Sequence, residues 1–207
     1  RFGRAPEGKP LEVWLSSFQS TWSDYDNDRD PDLFVANDYG PDFIFRNDPN
    51  PQGGRECTDV PRAMAGDALN GFGMGVSLGD YDNDGRQDPF FTYMFSKAGS
   101  RITEMFQGLE PRMYEGVRGN KLLRNTGDRF EVVSGPAPPA LRVSKTGWSW
   151  GGQYADFDND GWIDLVVAND TVQNFLFRNE RNGSFKEIGA RSGVAYDAYG
   201  LTRGAMG

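Results

Sequence analysis

One nine-residue acidic stretch occurs three times in this chain: "DYDNDRDPD" from Asp24, "DYDNDGRQD" from Asp80 and "DFDNDGWID" from Asp156. The copies are offset by 56 and 76 residues. A fixed unit returning at such a period is a supersecondary repeat, which buries its faces by stacking on neighbours. The similarity extends beyond the loops. Alternating runs precede them, the last two with glycine: "FQSTWSD", "MGVSLGD" and "WGGQYAD". β-Branched and apolar runs follow, "LFVAND" at Leu33–Asp38 and "LVVAND" at Leu165–Asp170, then "FIFRND", "KLLRNTGDRFEVV" and "FLFRNERNGSFKEI". Alternation and Asn/Gly pairs read as strands and hairpin turns.

One unit therefore reads strand, acidic loop, strand, turn, strand, turn, strand. Four short antiparallel strands at this period describe a β-propeller blade. The expected fold class is all-β, with three blades spanning about 13–70, 71–145 and 146–207. The second blade is longer by about 22 residues, placed at about 95–119, Phe95 to Gly119. Three blades are too few to close a known propeller ring, so the chain reads as part of a larger propeller or an arc completed by another chain. "GLTRGAMG" matches "NGFGMG" at Asn70–Gly75, as though a fourth loop would come next. The many glycines (27) and the 14% aromatic content agree with a turn-rich β protein.

Oxygen ligands at positions 1, 3 and 5 of a tight loop, with a carboxylate further on, suit Ca²⁺, which takes six to eight hard oxygens. Position 6 must turn with φ > 0, the province of glycine. Position 7 offers its backbone carbonyl, which leaves its side chain free to vary: Asp30, Arg86 and Trp162. An EF-hand does not fit, because position 12 is Val35, Phe91 or Val167 rather than Glu. The last acidic ligand falls at position 9 instead: Asp32, Asp88 and Asp164. The competing reading is an Asx-rich turn with no ion. Charge favours the ion. The loops hold 13 aspartates, and three Ca²⁺ would move the formal charge from −8 to −2. Arg29 replaces glycine at position 6 of the first loop. The left-handed conformation costs a non-glycine residue about 1–2 kcal/mol, so the first site is expected to be the weakest or distorted. Affinities of about 10⁻⁴–10⁻³ M are expected, typical of extracellular modules.

The pattern "DFDNDGWIDLVVAND" resembles the FG-GAP/VCBS repeat, the calcium-binding blade shared by integrin α-chain propellers and many bacterial extracellular proteins. "FLFRNERNGSFKEIGARSGVAYDAYGLTRGAMG" is similar to the ASPIC/UnbV-associated, cartilage acidic protein-like branch. The resemblance covers about Val13 to Gly207 apart from the insert. It implies a seven-bladed propeller, secretion to an extracellular or periplasmic space, and calcium as a structural ion. Its implied ligands are Asp24, Asp26, Asp28 and Asp32; Asp80, Asp82, Asp84 and Asp88; and Asp156, Asp158, Asp160 and Asp164. Arg29, the non-standard "DPFF" after the second loop and the insert depart from the pattern.

Other features are weighed against that frame. A pI near 4.6 argues against nucleic acid and anionic membrane as partners. No run of 18 apolar residues is present to span a membrane. The chain has no histidine, the usual general base. "GWSWG" at Gly147–Gly151 matches the nucleophile-elbow pattern but lacks that partner, so Ser149 is read as structural and Trp148 and Trp150 as packing between blades. "NGS" at Asn182 and "NDT" at Asn169 match the glycosylation pattern; Asn182-Gly183 reads first as a hairpin turn. Cys57 aligns with Phe130 and Phe185 and is expected to be a small buried stand-in. The insert, with Lys97, Arg101, Arg112 and Arg118, is a solvated excursion or a contact for a partner. The functional expectation is a non-enzymatic, calcium-stabilised extracellular scaffold for binding or adhesion, with a protein or glycan ligand or neighbouring blades as partners. The alternatives are the propeller of a carbohydrate-active enzyme and a structural subunit of an extracellular assembly.

Overall fold

The computed structural model describes residues 16–38, 40–60, 64–66, 68–95, 118–135 and 141–205. They form three antiparallel four-stranded sheets. The first contains β1 (Ser16–Ser23), β2 (Asp32–Asp38), β4 (Phe43–Pro49) and β5 (Arg55–Asp59). The second contains β7 (Gly73–Gly79), β8 (Asp88–Tyr93), β9 (Lys121–Asn125) and β10 (Phe130–Val132). The third contains β11 (Trp148–Ala155), β12 (Asp164–Asp170), β13 (Phe175–Asn179) and β14 (Phe185–Glu187). Strands within each sheet pair in chain order, the meander expected of a blade. A two-stranded link, β3 (Gly40–Pro41) with β6 (Asn70–Gly71), ties the first sheet to the approach of the second. One helical turn, α1 (Gly189–Ser192), follows β14.

The repeat extends to the register of the first two strands. Each first strand shifts at the same place: between Ser17 and Gln19, Gly73 and Gly75, and Ser149 and Gly151. The third strand pairs with the second over three residues in the outer sheets, from Leu33 with Phe45 and from Leu165 with Phe177, and over two in the middle sheet, Phe90 with Leu122 and Phe91 with Lys121. The first strands of neighbouring sheets lie against each other. There Gly75 is required: a Cβ would come within 3.0 Å of Gln19 in the first sheet and of the Trp150 carbonyl in the third.

The core lies between sheets. One cluster joins Tyr25, Phe34 and Ile44 of the first sheet to Val76, Phe91, Leu123 and Phe130 of the second. The other joins Phe90 and Leu122 of the second sheet to Leu165, Val167 and Phe177 of the third. The middle sheet is therefore covered on both faces. That explains "DPFFTY": every residue of β8 is buried, Phe91 toward one neighbour and Phe90 toward the other.

Two expectations are corrected. Cys57 stands in register with Phe130 and Phe185, pairing with Asn47 as they pair with Asn125 and Asn179. It is nevertheless exposed. Phe130 and Phe185 pack on Tyr25 and Tyr81 in the loop of the preceding sheet, and among the described residues nothing precedes the first sheet. Trp148 is likewise exposed, whereas Trp150 does pack between sheets, edge-on to Phe18 at 5.6 Å. The insert at about 95–119 lies outside the described residues except at its ends.

Candidate metal centres

Each acidic loop joins the first strand of its sheet to the second, and a hydrogen-bond set shared in most of its members shapes all three. The position-6 amide donates to the position-1 carboxylate: Arg29 to Asp24 at 2.9 Å, Gly85 to Asp80 at 2.8 Å and Gly161 to Asp156 at 2.9 Å. Position 6 is left-handed throughout, at φ 77° for Arg29, 86° for Gly85 and 85° for Gly161. Arg29 thus adopts the glycine conformation and keeps its bond. The first loop departs elsewhere. The position-5 amides of Asp84 and Asp160 reach Asp80 and Asp156 at 2.9 and 3.0 Å, whereas Asp28 turns to Asp26 at 3.3 Å.

Position 9 anchors the loop to the sheet. Asp32, Asp88 and Asp164 each accept the position-2 amide on one oxygen, at 3.1–3.3 Å. On the other they accept the amide of Asn47, Asn125 or Asn179 on the third strand, at 2.7–2.9 Å. All three are buried. Burial pushes the carboxyl of Asp32 up to about 6 and that of Asp88 up to about 7, and it raises Asp164 as well. The neighbouring aspartates add to the rise, Asp26 at Asp32 and Asp82 at Asp88.

The loops bring three carboxylates together in each sheet: Asp24, Asp26 and Asp32; Asp80, Asp82 and Asp88; Asp156, Asp158 and Asp164. Within each group the oxygens lie within 4.8 Å of one another. Like charges held so close need a counter-charge or protons. Two of the oxygens, Asp24 Oδ1 and Asp82 Oδ1, are shielded from solvent and accept no hydrogen bond. Orphaned, buried carboxylate oxygens fit a hard divalent cation, whose preferred ligand is oxygen.

The position-5 aspartates stand outside these groups. Asp28, Asp84 and Asp160 each accept the position-7 amide, from Asp30, Arg86 and Trp162 at 2.8–3.0 Å. This is the Asx-turn geometry weighed above, coexisting with the carboxylate groups. Arginines also reach the loops: Arg55 pairs with Asp30, Arg86 with Asp84, and Arg181 with Asp160 at 2.5 Å.

Two contributors carry signals that motif reading passed over. Position 4 is asparagine in every copy and left-handed in every copy, at φ 61°, 57° and 57°, a conformation asparagine tolerates better than other non-glycine residues. Asn27 Nδ2 reaches the Gly85 carbonyl at 3.5 Å, and Asn83 Nδ2 the Gly161 carbonyl at 3.2 Å. Each loop thus touches the next. The asparagines closing the second and third "RN" pairs do the same from the third strand: Asn125 donates to the Tyr25 carbonyl at 2.8 Å, Asn179 to that of Tyr81 at 2.7 Å.

Ser149 is fully buried on a strand, hydrogen-bonded to Thr146 at 2.7 Å and to Asn169 at 2.9 Å. Those bonds fasten the blade; the serine is not presented on an elbow. Asn182-Gly183 forms the expected turn, with Gly183 at φ 76° and Ser184 donating to the Asn182 side chain.

Stacked four-stranded sheets, each carrying the same acidic loop between its first and second strands, define a propeller-blade repeat protein. The chain belongs to the FG-GAP-like repeat family, whose model matches residues 24–90 and 156–204. It is also similar to cartilage acidic protein 1 of Xenopus tropicalis, at 22% identity over 173 residues. That match covers 66% of this chain and 26% of the relative, so the chain spans about a quarter of the length of the protein it matches. No helix among the described residues is long and apolar enough to cross a membrane.

Proposed function

We infer that this chain is part of an extracellular, calcium-stabilised β-propeller that serves as a binding scaffold. The observation that carries the reading is the convergence of positions 1, 3 and 9 into one carboxylate group in all three loops. Calcium would neutralise each group and lock the turn between two strands, with Asp28, Asp84 and Asp160 and the carbonyls of Asp30, Arg86 and Trp162 completing the shell. Each buried position-9 carboxylate, repelled by the other aspartates of its own loop, supplies the differential affinity: the ion binds the folded loop, and the unfolded chain offers no such cluster. The altered amide pairing at Asp28 supports the first site as the weakest.

Calorimetric titration should find up to three calcium ions per chain, and EDTA should lower Tm by several degrees relative to millimolar calcium. A Tm indifferent to both, in calcium-free buffer at low salt, would remove the reading. The scaffold role draws support from the family and from the relative, and the enzymatic alternative gains no support from Ser149.

The terminal sheets favour neighbouring blades as partners. Tyr25 and Tyr81 at position 2 are 2% and 6% exposed because the next sheet covers them, while Phe157 at the same position is 43% exposed. Trp22 on the first strand of the first sheet is 49% exposed. Both ends thus present surfaces that the internal junctions bury.

A further inference from the structure

The three loops sit beneath equivalent arginines on the third strand: Arg46, Arg124 and Arg178. In two sheets an acid two residues on holds the arginine. Arg46 Nε lies 2.9 Å from Asp48 Oδ2, and Arg178 Nη2 lies 2.5 Å from Glu180 Oε1. The middle sheet has Thr126 at that position. Its hydroxyl is turned into the hairpin, donating to the Arg129 carbonyl at 2.9 Å. The acid across the strand pair from Arg124 is Glu131, and it is engaged by Arg129 at 2.5 Å. Arg124 therefore leans on the acidic loop. Its Nε lies 2.9 Å from Asp82 Oδ2 and its Nη2 lies 3.7 Å from Asp84 Oδ2. The Nε is buried and makes no aligned hydrogen bond, so the contact is one of charge. Among the described residues, no ion pair reaches the corresponding position-3 aspartates, Asp26 and Asp158.

We propose that Arg124 is a built-in competitor for the second loop's cation, and that Thr126, by failing to hold Arg124 on the strand, sets that loop's affinity. This rests on the calcium reading above. A cation entering the second group, with Asp82 Oδ1 open to it, must compete with the guanidinium on Oδ2 for the charge of the same carboxylate, and no ion pair imposes that competition at Asp26 or Asp158 among the described residues. The second loop, sequence-perfect at positions 1, 3, 5, 6 and 9, would then be weaker than the third and would exchange its ion more readily.

The test is a calcium titration followed by NMR at the Gly85 and Gly161 amides, which report the second and third loops separately because each donates to the position-1 carboxylate. Thr126→Glu should recapture Arg124 and tighten the second loop about two- to fivefold, the scale of a partly exposed ion pair. Arg124→Gln should do the same. Glu180→Thr should free Arg178 and weaken the third loop by a similar factor. Adding Thr126→Glu to Arg124→Gln should bring no further gain. An equal gain in both backgrounds would mean a general field effect and overturn the proposal, as would unchanged second-loop affinity in Arg124→Gln while both loops still titrate. If neither glycine responds to calcium in any variant, the calcium reading itself falls and takes the proposal with it.

Discussion

Arg29 occupies a conformation in which the other two loops use glycine, at φ 77° and with the loop's hydrogen bond intact. At position 6 the cost is therefore backbone strain, and the altered pairing falls one residue earlier, at Asp28. Arg29→Gly should stabilise the calcium-free protein by about 1 kcal/mol in urea unfolding, and Gly85→Ala should destabilise it by about as much. A Cβ at Gly85 would meet no atom within 4 Å, so strain alone is tested there. Buried carboxyls set the pH response. Asp42, between the first two sheets, accepts hydrogen bonds from the Asn37 amide at 2.8 Å and from the Tyr93 hydroxyl, and burial still pushes its carboxyl up to about 6. With Asp32 at about 6 and Asp88 at about 7, the folded protein binds more protons than the unfolded chain between about pH 4 and 7. Stability in EDTA should therefore fall as pH rises through that window. Saturating calcium should cancel the share of Asp32 and Asp88, and Asp42→Asn should remove the remainder; Tm measured across pH in the four conditions checks this. A calcium-free protein whose Tm rises from pH 4 to 7 would contradict it.

At the scale of the element, the asparagine at the end of the third strand ties the second and third sheets to the loop of the sheet before. Asn179 is buried, and its Nδ2 satisfies two carbonyls, Tyr81 in the neighbouring loop at 2.7 Å and Ile163 in its own at 3.1 Å. Its amide also reaches Asp164. Removing the side chain leaves buried acceptors without a donor, at about 1–3 kcal/mol. Asn179→Ala should lose that much in equilibrium unfolding. Asn47→Ala should lose less, since Asn47 Nδ2 is exposed and bonds only Pro31 within its own sheet, at 3.1 Å. Equal losses would mean that the bond between sheets contributes nothing. The "RN" pairs are plain in the sequence, yet nothing local shows that the asparagine donates across to a loop roughly 100 positions earlier.

Across the whole molecule, two apolar clusters share the middle sheet and no residue. Stacked repeats behave as a one-dimensional array in which each interface is a separate term. Phe90, fully buried in the second cluster, is edge-on to Tyr154 of the third sheet with ring centroids 6.3 Å apart. Phe90→Ala should cost about 3–5 kcal/mol. Its effect on amide exchange should concentrate in β11, β12 and β13 and leave β1 and β2 near their original protection. Uniform acceleration throughout would show a single cooperative unit.

The sequence by itself determined the blade. Strand alternation, the turn pairs and the threefold loop depend on neighbours a few residues apart, and such local constraints are written in residue order. It also offered carboxylates at positions 1, 3, 5 and 9 of each loop, but the fold gathers only those at 1, 3 and 9 and turns the position-5 carboxylate to the position-7 amide. Only the tertiary structure decided which apolar residues are covered. Cys57 and Phe185 share a register, and Phe157 shares one with Tyr25 and Tyr81, yet Cys57 and Phe157 are exposed while Tyr25 and Tyr81 are not. Burial is a property of what stacks on the face, and periodicity within one strand carries no record of it. The same holds for Arg124. Its distance from Asp82 follows from the side chains that fail to hold it, and that competition exists only once strand, hairpin and loop are folded together.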